Sequence, residues 1–325
     1  MFTLFPIKKI PLGFMLIGMF IILTCIYSCY KWDNPYDENA KIKISINFPC
    51  LAEINNSYSI ELTTDSRNDF NVQLDLYKGD NWVSNIAENV PSKGTITWKV
   101  PVSVTGSDYK IKATSSINSS FYSFSNNFEI ANWSDLSAVT QSLKTSLFIE
   151  NFNDNSNSWS TNSTDFQCTF NSGIYQIKNV TSSTDDIILT YSHVLDASKN
   201  FQIELNIKYS SSDANAYTGF IWGADLNFIN YYEFWYLNNM NYHYGVYNAP
   251  NWTDILASNT SPIINGFNQI IIRKISGNYY FFINGQYIGT KPYQSSYGNY
   301  FGFESYPNST IYLDYLYIYY INFPC

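Results

Sequence analysis

The chain has little with which to do acid–base or metal chemistry. It holds only two histidines, His193 and His243, and charged residues make up 14% of it, which is not the composition of an ion-pair-laced coiled coil. Lysine and arginine form no cluster beyond the N-terminal forty residues, and the net charge is −8, which leaves no electrostatic footprint for nucleic acid. Cysteine is scarce as well. Of five, Cys25 and Cys29 fall in the leading apolar segment, and the remaining Cys50, Cys168 and Cys325 are an odd set without metal-ligand spacing. No glycine-rich phosphate loop, nucleophile elbow or convincing amphipathic helical period occurs.

What the chain has in quantity is aromatic residues, 18% with 29 tyrosines, set among Ser, Thr and Asn; this is the composition of strands and turns. At the N-terminus Lys8 and Lys9 precede an apolar run over 12–27, a positive n-region followed by an h-region, so 1–28 is expected to be an export signal outside the fold. Its end, Ile26-Tyr27-Ser28-Cys29, resembles a bacterial lipobox, which implies cleavage before Cys29, lipid on its thiol and attachment to a membrane. The polar stretch 29–40, with Trp32-Asp33-Asn34-Pro35, reads as a tether and resembles the segment after the lipidated cysteine in Bacteroidetes-type surface lipoproteins. An uncleaved signal anchor is the alternative, since ~20 apolar residues also span a bilayer. On either reading the rest of the chain is exported, to the outer membrane or cell surface. The pentapeptide Ile-Asn-Phe-Pro-Cys occurs at 46–50 and again at 321–325. A covalent staple between two domains follows if Cys50 and Cys325 meet; coincidence in a chain rich in Ile and Asn is the other reading.

About 290 residues remain beyond signal and tether, enough for two domains with cores of their own. From 41 to 131 short alternating runs, at 41–48, 58–63, 72–77, 82–86, 95–100, 109–114 and 128–130, are separated by turn clusters such as Lys78-Gly79-Asp80-Asn81. That spacing predicts an immunoglobulin-like β-sandwich. The blocks Gly94-Thr95-Ile96-Thr97-Trp98, Ser107-Asp108-Tyr109-Lys110 and Phe124-Ser125-Asn126-Asn127-Phe128 resemble the Ig-like domain of the Ser/Thr-rich GPI-anchored family, shared with fungal cell-wall glucan assembly proteins. The resemblance implies an accessory module, a spacer. On physical grounds Trp98 is expected to plug the core, Tyr109 to bond back to the chain through its hydroxyl, and Pro101 to end a strand.

Residues 132–146 read as a linker, with room for one short helical turn. Over 147–325 the strand pattern resumes with too many strands for an Ig domain and about the number a jelly-roll double sheet needs. Phe148-Ile149-Glu150-Asn151-Phe152, Phe201-Gln202-Ile203-Glu204-Leu205, Phe282-Ile283-Asn284-Gly285 and Tyr312-Leu313-Asp314-Tyr315 resemble strands of the concanavalin A-like lectin/glucanase superfamily, which implies a fold and not an activity. The whole is therefore expected to be all-β. Asn284-Gly285 supplies the positive φ angles of a tight hairpin turn.

The superfamily includes family 16 glycosidases, whose catalytic strand carries paired carboxylates. Here Glu204 matches the nucleophile, but Asn206 and Lys208 stand where an aspartate and the acid belong, which argues against that chemistry. Glu233 with His243 is a thin acid/base candidate lacking a third orienting group. Denser is the aromatic region from Trp222 to Trp252. Sugar rings present apolar C–H faces to such rings, and polar side chains beside them meet hydroxyls. Period two puts Tyr231, Glu233 and Trp235 on one strand face and Tyr232, Phe234 and Tyr236 on the other, with the Glu233 set expected outward. Trp252, in Asn248-Ala249-Pro250-Asn251-Trp252, is expected in a loop. The glycan-contact candidates are thus Trp235, Trp252, Tyr231 and Glu233, and the expected partner is a glycan or a cell-surface molecule. A structural or protein-interaction role is the first alternative and glycan hydrolysis the second; an acidic pair lining the concave sheet would favour hydrolysis. A structural calcium is the one cofactor considered, held by Glu150, Asp154 and Asp314 between the first and last strands, with backbone carbonyls or water completing its shell.

Overall fold

The structure is a computed structural model that describes residues 42–324 apart from 182–186, 193–194, 197, 214, 238–239 and 259–261. The expected signal, the tether with Cys29, and His193 lie outside the described residues. The chain divides into two compact units, one ending at Ala131 and taking in Pro324–Cys325, the other Asn132–Phe323.

The first unit contains β1 (Ile44–Asn47), β2 (Leu51–Glu53), β3 (Ser57–Thr64), β4 (Asn71–Lys78), β5 (Asn81–Pro91), β6 (Gly94–Lys99), β7 (Gly106–Ser115), β8 (Tyr122–Phe124) and β9 (Phe128–Ala131). One sheet runs β1-β3-β6, the other β2-β9-β7-β4-β5 with β8 on β7; β2 and β9 pair in parallel. The inward residues of both sheets, among them Ile60, Leu62 and Trp98 from one and Leu74, Ile111 and Phe128 from the other, share one core. This is the expected Ig-like sandwich. Trp98 is buried in that core, and the Tyr109 hydroxyl donates to the Thr105 carbonyl at 3.2 Å. Cys50 is disulfide-bonded, with its partner outside the described residues, while Cys168 of the second unit is free.

The second unit contains β10 (Lys144–Glu150), β11 (Phe166–Asn171), β12 (Ile174–Asn179), β13 (Ile187–Ser192), β14 (Phe201–Ser211), β15 (Tyr217–Ala224), β16 (Asn230–Leu237), β17 (Tyr242–Asn248), β18 (Asn251–Ser258), β19 (Asn268–Ile275), β20 (Asn278–Ile283), β21 (Gln286–Pro292), β22 (Tyr300–Ser305) and β23 (Ser309–Ile321). They form an eight-stranded sheet, β11-β12-β23-β14-β19-β20-β21 with β10 on β23, and a six-stranded sheet, β13-β22-β15-β16-β17-β18. The shared core is chemically lopsided. The larger sheet contributes mostly aliphatics such as Ile203, Leu205, Ile272, Leu313 and Ile318, and the smaller one rings such as Phe220, Trp222, Tyr232, Phe234, Tyr244 and Phe303. Asn284 and Gly285 both adopt positive φ between β20 and β21, the backbone the tight turn demands.

Residues 132–143 depart from the expected linker. Two short 3-10 turns, Leu136–Ala138 and Gln141–Leu143, belong to the second unit, and the fully buried Arg273 of β19 holds their approach. Its guanidinium donates to the carbonyls of Trp133 (3.0 Å), Asp135 (2.8 Å) and Leu136 (3.0 Å), and its Nε to Gln202 Oε1 at 2.7 Å. Burial pulls its pKa down to about 10, opposed by Glu204, Asp135 and Tyr280, so it is charged at neutral pH.

Candidate functional site

Strand β16 decides the site. Its alternation sends Tyr232, Phe234 and Tyr236 into the core, where burial raises the Tyr232 and Tyr236 hydroxyls well above the usual phenol range. Tyr231, Glu233 and Trp235 therefore point to the opposite face, as the period-two reading expects.

Registers across the sheet then fix the neighbours of these three. Trp235 lies between Gly219 on β15 and His243 on β17, and beyond Gly219 comes Glu304 on β22. Glu233 lies between Ile221 and Gly245, and Tyr231 beside Tyr247, which in turn pairs with Trp252 on β18. All of these share one face, because directly opposed antiparallel residues point the same way. Two glycines make room for what the others carry. A methyl group on Gly219 would overlap Oε1 of Glu233, and one on Gly245 would overlap the Trp252 indole. The Glu233 carboxylate thus occupies the side-chain space of Gly219, the position that Glu304 flanks on its other side.

The result is an open pocket of about 450 Å³ lined by Tyr217, Phe228, Tyr231, Glu233, Trp235, Tyr247, Trp252 and Glu304. Both carboxylates are buried, Glu233 at 3% and Glu304 at 7% exposure, yet both line it. The Tyr217 hydroxyl donates to Glu304 Oε1 at 3.4 Å. The two indoles are set 6.0 Å apart at 59°. Each is braced: Trp235 stacks on the His243 ring at 4.0 Å, and Trp252 Nε1 donates to Asp254 Oδ1 at 2.7 Å, an oxygen that also meets His243 Nδ1 at 3.1 Å.

All four glycan-contact candidates, Tyr231, Glu233, Trp235 and Trp252, thus line one pocket. Trp252 is on a strand and not in the expected loop, because β18 starts at Asn251, directly after the Ala249-Pro250 turn. Glu304, Tyr217 and Phe228 are lining residues that the sequence reading missed. His243 faces Trp235 and Asp254 instead of Glu233, so the imagined Glu233–His243 acid/base pair does not form.

The candidate metal ligands are not brought together. Glu150 points inward, accepting from Phe152 N (2.6 Å), Asn157 Nδ2 (2.7 Å) and Trp159 Nε1 (2.7 Å). Asp314 faces the other side of the same sheet and accepts from Asn206 Nδ2 at 2.9 Å. Asp154 is exposed and caps its own turn through Ser156 N; the bonds from Ser156 hold its pKa below the usual carboxylate range. Among the described residues no group of three acidic, histidine or cysteine side chains could hold a metal. Glu204, the residue at the family 16 nucleophile position, sits on β14 in the larger sheet, where Lys144 Nζ reaches it at 2.6 Å.

Aromatic walls around buried carboxylates suit a ligand with apolar C–H faces and polar hydrogens. Residues 51–130 match the Kre9/KNH-like N-terminal Ig-like domain. The Kre9/KNH-like match ends before the unit that carries the pocket. No curated protein matches the chain. Among solved structures, a Bacillus subtilis protein of unknown function with a galectin-like fold is 11% identical, covering 55% of this chain and 100% of its own, at a TM-score of 0.42. The Bacillus licheniformis β-glucanase is likewise 11% identical, over 55% of this chain and 99% of its own, at 0.41. The carbohydrate-binding module CBM66 from Bacillus subtilis is 11% identical, over 54% and 94%, at 0.33.

Proposed function

We propose that this is an exported, lipid-anchored surface protein whose second unit binds glycan in the Trp235–Trp252 pocket, with the Kre9/KNH-like unit as spacer. The observation that carries the reading is the pairing of two braced indoles with two buried carboxylates in one open pocket. A ring held rigid before the ligand arrives loses little entropy on binding, and stacking on it leaves the sugar hydroxyls free to meet carboxylate oxygens. A purely structural role leaves such a pocket without a purpose. Export is supported by the Cys50 disulfide, since such bonds persist in oxidising compartments. Glycan-array screening of the purified protein, followed by calorimetry on the hits, tests the binding reading. Trp235→Ala is expected to weaken the best hit by about tenfold or more, the worth of one good stacking contact. Unchanged affinity would overturn it.

That Glu233 and Glu304 line one pocket favours hydrolysis as a second reading, because glycoside cleavage uses a pair of carboxyl groups. On that reading the protein releases new reducing ends from the glycan it binds, and Glu233→Gln stops release while binding persists.

A further inference from the structure

The residues lining the pocket are six aromatic and two acidic. Both components favour positive charge: ring faces carry negative quadrupole potential, and a buried carboxylate is stabilised most by a cation that reaches it. We propose that the pocket selects cationic, unacetylated amino sugars, whose ammonium group rests between the Glu233 and Glu304 carboxylates while the ring's C–H face lies on an indole. The proposal rests on the glycan-binding reading above and names its ligand class.

The sheet sets the convergence point. Glu304 is directly opposite Gly219, so its Cβ stands about 5 Å from where a Gly219 side chain would begin. That space is filled by the Glu233 carboxylate, reaching across from the next strand. Two carboxyl groups lining one pocket disfavour carrying charge together, and a cation that meets both offsets that cost where a neutral group does not. A sugar hydroxyl gives one proton to one carboxylate. An ammonium gives three protons and a charge, enough for both carboxylates and one further acceptor. Asp254, accepting from Trp252 Nε1, adds negative potential behind that indole. Uronic acids and sialic acids would bring a third negative charge to the same place, and an N-acetyl group removes the ammonium that the carboxylates complement. The volume argues for a sugar over a bare quaternary ammonium: about 450 Å³ falls in the usual ~300–1,000 Å³ of small-molecule sites and exceeds what a trimethylammonium head fills.

The test is calorimetric titration of the full protein with a glucosamine trisaccharide, its fully N-acetylated counterpart, a uronic acid trisaccharide and choline, at neutral pH. The unacetylated sugar is expected to bind at least tenfold tighter than the acetylated one and the uronic acid not at all. Glu304→Gln should erase that preference by weakening the unacetylated sugar about tenfold or more. Raising the pH until the sugar amine deprotonates should erase it in the unaltered protein, which keeps the test independent of any variant's folding. Equal or tighter binding of the acetylated or acidic sugar overturns the inference and leaves the glycan-binding reading standing. Binding of choline alone, or of none of the four, also overturns the inference, while the glycan-binding reading stands or falls on the glycan array.

Discussion

At the scale of single residues, the pocket depends on side chains that are missing. Gly219 has no positive-φ requirement; its value is the volume that the Glu233 carboxylate takes. Gly219→Ala should therefore expel that carboxylate and lower glycan affinity about tenfold or more, with a change in stability of only ~1–3 kcal/mol for the overpacking; calorimetry beside a urea melt separates the two effects. The acidic residues also show what could be read from the chain alone. Glu233 was legible, because its strand alternates cleanly and its companions Tyr231 and Trp235 are aromatic. Glu304 was not, since its membership depends on the pairing of β22 with β15 across some eighty residues of sequence, which no local pattern encodes. Glu150, a candidate cation ligand by type and position, is a buried acceptor in the structure. Its carboxylate is satisfied by three N–H donors, one of them the indole of a core tryptophan nine residues away, and type and spacing alone do not tell such an acceptor from a metal ligand.

At the scale of elements, the expected linker is the clearest departure. Polar composition over 132–146 argued for a loose connection, yet the carbonyls of that segment are claimed by a buried arginine from β19, a long-range bond invisible to composition. Arg273→Ala should strand four acceptors and cost about 3 kcal/mol or more in a denaturant titration. It should also make 132–143 the first site of limited proteolysis, while the unaltered protein resists cutting there. Arg273→Lys should not restore resistance, because one ammonium on a flexible stem cannot reproduce the planar fork. The strands themselves were mostly visible as alternating runs. The short β2 and β8 escaped because three residues carry almost no period, β18 because its first residues look like the turn before it, and β21 because its residues are mostly polar or half-exposed and show no clear apolar alternation. β11 escaped too, although it alternates, its apolar residues being only half-buried.

At the scale of the whole molecule, tyrosine dominates the response to alkali. Burial, then repulsion from Glu204, Tyr317 and Tyr315, pushes Tyr319 up to about 12, and burial raises Tyr175, Tyr244 and Tyr279 further. These hydroxyls keep their protons when folded and lose them near pH 10 when unfolded. Their contribution is thus fully present below about pH 10 and lost as pH rises through the folded values. Cooperative unfolding above about pH 10, with tyrosinate absorbance appearing in the same step, is the expected result; gradual ionisation of the buried set without unfolding would contradict it. The all-β architecture was legible throughout, from composition and turn spacing alone. For the N-terminus, Cys29→Ala expressed in a diderm bacterium should abolish incorporation of labelled palmitate.

The two glycines under the pocket make it far easier to lose than the sandwich that carries it. Most point mutations of a glycine codon add a side chain, and at Gly219 or Gly245 any side chain displaces a carboxylate or an indole. Drift without selection for the ligand would therefore be expected to erase the pocket in a step or two while the molecule went on folding, so descendants of this chain would divide into those that hold both glycines and those that have become scaffolds.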